Sequence, residues 1–268
     1  MREFPLYKID AFTGHLFGGN PAAVCPLKEW LPDETLQSLA VENNLSETAF
    51  FIPNGKDFDL RWFTPMFEID LCGHATLATA HVLFRHLGYS GDRIAFHTRK
   101  AGTLYVTRNN DWLTLDFPAR PPQVCPLPEG AVEALGGPKP IYCGVSRDFM
   151  FVYENEDDVR NLRPDYRKLR EVRQNGQHRF AIVTAKAGKD CDFISRFFCA
   201  GDGIDEDPVT GSAHSTLVPY WAEKLGKTKM LAHQVSARGG VLRCELKGDR
   251  VLMSGQAVTY MQGTFYLP

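Results

Sequence analysis

The sequence lacks any apolar run near the ~20 residues that a membrane-spanning helix requires; its longest apolar-leaning stretches are broken by polar residues well before that length. It also lacks an excess of one charge. Its 30 basic and 32 acidic residues, a net charge of -2, are spread along the chain, so no basic stripe awaits a phosphate backbone, and nucleic acid is not an expected partner. No basic segment followed by an apolar run precedes the first strand pattern, so no export signal is expected. The seven cysteines form no C-x-x-C pair and no regular spacing, which reads as reduced thiols in a cytoplasmic protein.

Familiar catalytic signatures are missing as well. The chain contains no G-x-S-x-G elbow, no P-loop, no G-x-G-x-x-G after a strand and no H-E-x-x-H. Its eight histidines are scattered, and no Cys/His group has zinc spacing. His81 and His86 lie five residues apart on a predicted helix and do not share a face. Neither a metal nor a cofactor is implied.

What is present is an average globular composition, 44% hydrophobic and 23% charged, and enough chain for two domains. Alternating apolar residues predict strands at 6–12, 20–25, 48–52, 58–63, 94–97, 102–107 and 112–117, with a short helix that follows the start signal Trp30 to Glu34 and is closed by Asn43-Asn44. A longer helix is predicted from Gly73 to Leu87, closed by Gly88. The Pro-rich stretch Pro118 to Pro122 reads as a linker.

Beyond that linker the order of signals recurs. Arg61-Trp62-Phe63 is echoed by Arg196-Phe197-Phe198, Ile69-Asp70 by Ile204-Asp205, and Gly73-His74-Ala75 by Gly211-Ser212-Ala213, each of the last opening a helix that ends in Leu-Gly. Further strands are predicted at 179–184, 234–237, 241–246 and 251–254, and Pro219 should kink the second long helix or free one of its carbonyls. The pattern is a duplicated α+β domain: residues 1–117, completed by the segment near 258–268, and residues 123–257.

Each repeat delivers small or polar residues to a helix N-terminus, at Cys72-Gly73-His74 and at Asp207 to Ser212. Free N–H groups and the positive end of the helix dipole suit such termini to a carboxylate, and to an enolate formed from it. Asn44-Leu45-Ser46-Glu47-Thr48, where a helix gives way to a strand, offers an acid/base in Glu47, whose bland alternative is a solvated turn carboxylate. His74 reads either as a hydrogen-bond donor to substrate or as a polar residue of the first helical turn. Asp207 reads as a partner for a substrate ammonium or as a helix cap, and Ser212 as a ligand or as a cap of its own helix.

F-x-G-N-P-A-A-V at Phe17 to Val24, N-L-S-E-T-A-F at Asn44 to Phe50, C-G-H-A-T-L-A-T-A at Cys72 to Ala80, and G-x-D-E-D-P-V-T-G-S-A at Gly203 to Ala213 together resemble the phenazine biosynthesis PhzF-like family. The resemblance covers nearly the whole chain. It implies two diaminopimelate epimerase-like domains, each a curved mixed sheet wrapped around a central helix, with the active site in the cleft between them, and a homodimer. It also implies a cofactor-independent isomerase in which Glu47 removes and returns a proton of a small acidic metabolite. His74, Asp207, Ser212 and Asn20, with Gly73 and Gly211 at the helix starts, are its implied substrate-binding residues.

Racemases of the same fold use two facing cysteines. Cys72 matches the first by resemblance, whereas the second position, aligned through the T-G step, holds Pro208, which cannot carry a proton. The alternatives are a racemase or epimerase using Glu47 with Cys72, and a non-catalytic metabolite- or protein-binding member of the fold.

Overall fold

A computed structural model describes residues 1–174, 176–200 and 204–268; Gly203, the first residue of the last motif, lies outside them. The chain divides into two compact units, residues 1–116 with 253–268, and residues 117–252. In chain order the first contains β1 (Arg2–Ala11), β2 (Asn20–Pro26), α1 (Asp33–Asn43), β3 (Glu47–Asn54), β4 (Asp57–Phe63), β5 (Glu68–Ile69), α2 (Gly73–Arg85), β6 (Arg93–His97), β7 (Thr103–Asn109) and β8 (Trp112–Pro118). The second contains β9 (Gln123–Val124), α3 (Ala131–Leu135), β10 (Tyr142–Val145), β11 (Phe149–Val152), α4 (Glu156–Asn161), α5 (Tyr166–Leu169), the hairpin β12 (Arg173–Gln174) and β13 (Gln177–His178), β14 (Ala181–Lys186) and β15 (Phe193–Phe198). It continues through β16 (Glu206–Asp207), α6 (Gly211–Leu225), β17 (Lys229–Gln234) and β18 (Gly240–Lys247); β19 (Arg250–Gly255) leads out of it, and β20 (Ala257–Leu267) returns to the first unit.

The duplication is visible in the strand pairing. In the first unit β1–β2 is antiparallel, β2–β3 parallel, β3–β4 antiparallel, β4–β6 parallel and β6–β7 antiparallel. In the second, β10–β11, β11–β14, β14–β15, β15–β17 and β17–β18 repeat that series in the same order. β20 lies antiparallel along β1, from Arg2 opposite Leu267 to Ala11 opposite Ala257. The α+β class expected from the sequence is the class observed.

α2 carries apolar or small residues on every face, and 11 of its 13 residues are buried. Such a helix belongs inside a domain, and it packs against β1, β2, β3, β7 and β20. Its two threonines are satisfied locally: Thr76 and Thr79 donate to the carbonyls of Cys72 and Ala75. The helix ends at Arg85, two residues before the predicted Leu87, and Gly88 takes the left-handed conformation just beyond, at φ 69°.

Pro219 does sit inside α6. Lacking an N–H, it leaves the carbonyl of Ser215 without its helical donor, and the backbone N–H of Arg120 fills the vacancy at 2.8 Å. The freed carbonyl thus anchors the Pro-rich segment. The strand predicted at 234–237 lies instead at 229–234, because Gly240 and not Gly239 begins its partner, with Gln234 opposite Gly240.

Each repeat pins the approach to its long helix with a buried arginine. Arg61 makes two hydrogen bonds to Glu68, at 2.7 and 2.8 Å, and Arg196 makes two to Glu206, at 2.8 and 2.9 Å. Arg196 also donates to the carbonyls of Val159 and Leu162. These pairs correct the alignment of the repeats: Phe63 lies opposite Glu68 and Phe198 opposite Glu206, so Ile69 corresponds to Asp207 and not to Ile204. The second loop is longer by three residues. Removing one partner of a buried pair strands the other charge, so Glu206→Ala should destabilise the protein by about 3 kcal/mol. Its urea midpoint should fall with little change in slope; a wild-type midpoint would show that Arg196 does not need the carboxylate.

Candidate active site

Three chain segments of the first unit begin at one place. The turn into β2 uses Gly19 at φ 62°, where a Cβ would collide with the carbonyl oxygen of Ala11, so only glycine delivers Asn20 to its buried position. The exit from α1 uses Asn44 in the left-handed conformation, its N–H bonded to the Ala40 carbonyl at 3.1 Å, which brings Glu47 to the start of β3. β2 and β3 are parallel with Ala22 opposite Glu47, so both strands start at the same edge. α2 begins beside them at Gly73, after Cys72 in extended conformation.

These segments meet around the His74 ring, which is 4% exposed. Its Nε2 lies 3.0 Å from Glu47 Oε2, in a close ion pair that is not an in-line hydrogen bond. Its Nδ1 faces Asn20 Nδ2 at 3.1 Å and Cys72 Sγ at 3.5 Å. Burial opposes a charge on this ring, but the neighbouring Cys72 and Glu47 outweigh it and hold His74 well above the usual histidine range. Burial, and next the Glu47 charge, push the Cys72 thiol up. An imidazolium donates from both nitrogens, and the Asn20 carboxamide has a donor for the neutral ring and an acceptor for the charged one.

The start of α6 in the second unit is held differently. Asp207 Oδ2 accepts the Thr210 hydroxyl at 2.5 Å. Gln234, 1% exposed, donates to the carbonyl of Asp207 and to Thr210 Oγ1, and its oxygen accepts the Thr210 N–H. Ser236 donates to the carbonyl of Pro208. Gly211 is buried at the first helical position, and Ser212 is half-buried, with no partner for its hydroxyl among the described residues. Among the described residues neither α2 nor α6 has a side-chain cap at its N-terminus, which leaves first-turn N–H groups for an anion.

The structure therefore gathers Asn20, Glu47, Gly73 and His74 in the first unit, and Asp207, Gly211 and Ser212 in the second. Sequence reasoning missed Gln234 and Thr210, whose roles come from strand and turn geometry and carry no local motif. It also missed how close Cys72 comes to Glu47: one donor atom from each of Glu47, Cys72 and His74 lies within 4.8 Å of the others.

The family model of the phenazine biosynthesis-like proteins, PhzC-PhzF, matches residues 9–263. The chain belongs to this family. An uncharacterized isomerase of Pseudomonas aeruginosa is 48% identical, covering 99% of this chain and 100% of its own. The crystal structure of a PhzF-family phenazine biosynthesis protein from Enterococcus faecalis superposes with a TM-score of 0.94 at 44% identity, over 99% of this chain and 100% of that one. A hydroxyproline epimerase from Agrobacterium vitis, solved with trans-4-hydroxy-L-proline, shares the fold at a TM-score of 0.57 and 11% identity, over 98% and 92% of the two chains. The likeness to the Pseudomonas aeruginosa isomerase supports isomerase activity in general terms. No helix among the described residues is long and apolar enough to cross a membrane.

His214, in the first turn of α6, is fully buried; its Nδ1–H donates to the Thr210 carbonyl at 2.8 Å, and its Nε2 has no partner among the described residues. Burial lowers its pKa to about 4, against the bond to Thr210. The unfolded chain binds this proton from about pH 6.5 downward and the folded one only near pH 4. Stability is thus intact above pH 6.5 and falls between those values, by about 3 kcal/mol in all. His214→Gln, which keeps a donor for Thr210, should flatten denaturation midpoints between pH 6.5 and 4; an unchanged acid slope would contradict a buried neutral ring.

Proposed function

We propose that the protein is an isomerase that moves a proton between carbon atoms of a small carboxylate-bearing substrate, with Glu47 as the single acid and base. The observation that carries this reading is the Glu47–His74 pair: a carboxylate 16% exposed, 3.0 Å from a buried ring, beside the uncapped first turn of α2. The carboxylate is the exposed member and can reach a substrate; the imidazolium behind it is a fixed positive group. Glu47 takes the proton from one carbon, the resulting carbanion or enolate is stabilised by the first-turn N–H groups and the His74 charge, and Glu47 returns the proton at another carbon. Asn20 and His74 orient polar groups of the substrate; Asp207 and Ser212, at the corresponding helix start of the second unit, are assigned the same task. All proton movement is given to side chains of this chain.

The racemase reading needs two proton carriers on opposite faces of one carbon. Reacting atoms stand ~3–3.5 Å apart, so the two carriers must be ~6–7 Å from each other. The donor atoms of Glu47 and Cys72 lie within 4.8 Å, too close to flank one carbon, which favours the single base.

A panel of small amino- and hydroxy-acids incubated with the protein in D2O should reveal a substrate by deuterium incorporation. Glu47→Gln should slow that exchange by about 10²–10⁴-fold without changing the circular dichroism, while Cys72→Ala should retain it. Undiminished exchange in Glu47→Gln would sink the proposal, and loss in Cys72→Ala would revive the two-base alternative.

A further inference from the structure

The proton transfer above leaves Cys72 without a task, although the residue is buried and its sulfur stands 3.5 Å from His74 Nδ1. With Glu47 it completes a set of three donors drawn from the starts of β3 and α2, all within 4.8 Å of one another. Thiolate sulfur, imidazole nitrogen and carboxylate oxygen are the donor types that zinc takes. Zinc lies ~2.0–2.3 Å from such atoms, so neighbouring donors in a tetrahedral shell are separated by roughly 3.3–3.7 Å. The sulfur–Nδ1 distance already has that value, whereas the Glu47 carboxylate lies 3.0 Å from the ring's other nitrogen, Nε2, and has to turn toward the sulfur to complete the shell. Three protein donors with a fourth position open is also how accessible zinc sites are built.

We propose that Glu47, Cys72 and His74 form a binding site for a thiophilic divalent cation of the zinc class, and that its occupation blocks the base. The cation site stands on the donor geometry alone; the blocking rests on the role proposed for Glu47. A sulfur donor selects against magnesium and calcium. Two further thiols, Cys125 and Cys143 with sulfurs 3.4 Å apart, are a competing place for such an ion and supply the control.

Chelator-treated protein is titrated with Zn2+ against a chromophoric chelator, and with Co2+ as a spectroscopic probe. The expected result is one Zn2+ per chain with a dissociation constant below about 1 μM, and a sulfur-to-cobalt charge-transfer band that vanishes in Cys72→Ser and persists in Cys125→Ser. Glu47→Gln should weaken Zn2+ binding by about 10–100-fold, with circular dichroism confirming that both variants of the site fold. Absence of stoichiometric binding, a band indifferent to Cys72→Ser, or a band lost in Cys125→Ser overturns the site. Zn2+ binding there should also stop deuterium exchange in the wild-type protein; binding with exchange unaffected overturns the blocking and the role of Glu47 while the cation site stands.

Discussion

The contact between Glu47 and His74 fixes more than two side chains. Both groups sit at the first residues of their elements, and the ring's second nitrogen faces Asn20 from β2 and Cys72 from the residue before α2. One imidazole is therefore the joint of two parallel strands and a helix. Removing a partner from a buried ion pair of this kind costs about 3–5 kcal/mol, so the same interaction that arms the carboxylate also supports the edge on which it stands. The glycine at position 19 and the left-handed Asn44 serve that joint, because without those two turns neither strand would start beside the ring.

The second unit repeats the scaffold and replaces the chemistry. Gly211 corresponds to Gly73, Ser212 to His74 and Thr210 to Cys72, once the Arg196–Glu206 pair sets the alignment. Ser212, the counterpart of His74, offers no imidazole to the neighbouring strands, and Gln234 takes over by bridging Asp207 and Thr210 from the end of β17. A neutral amide suits that task because it can donate and accept at once. The loop is fixed without adding charge beside Asp207.

Much of this was legible in the sequence. Alternation, the Gly and Asn turn signals and the helix starts located most strands and both long helices, since each depends on residues close together in the chain. The motifs around Glu47, His74, Asp207 and Ser212 were legible for the same reason. Three features were not. The repeats were aligned through Ile204 because the second loop is three residues longer, and only strand pairing reveals the offset. Gln234 acts on residues 24 and 27 positions away. The Glu47, Cys72 and His74 donor set has no zinc-like spacing because the start of a strand and the start of a helix far along the chain bring it together.

The duplication also explains why one carboxylate is a more economical reading than two thiols. A pair of cysteines acting from opposite faces requires a proton carrier at corresponding points of both repeats. By helix starts the counterpart of Cys72 is Thr210, whose hydroxyl is already donated to Asp207; by the T-G step it is Pro208, which has no proton to move. Cys72 itself is kept a thiol by burial, with the Glu47 charge beside it. The repeat that retained a sulfur is thus the one in which a carboxylate stands beside it, and the other repeat carries a hydrogen-bonded brace at the corresponding helix start.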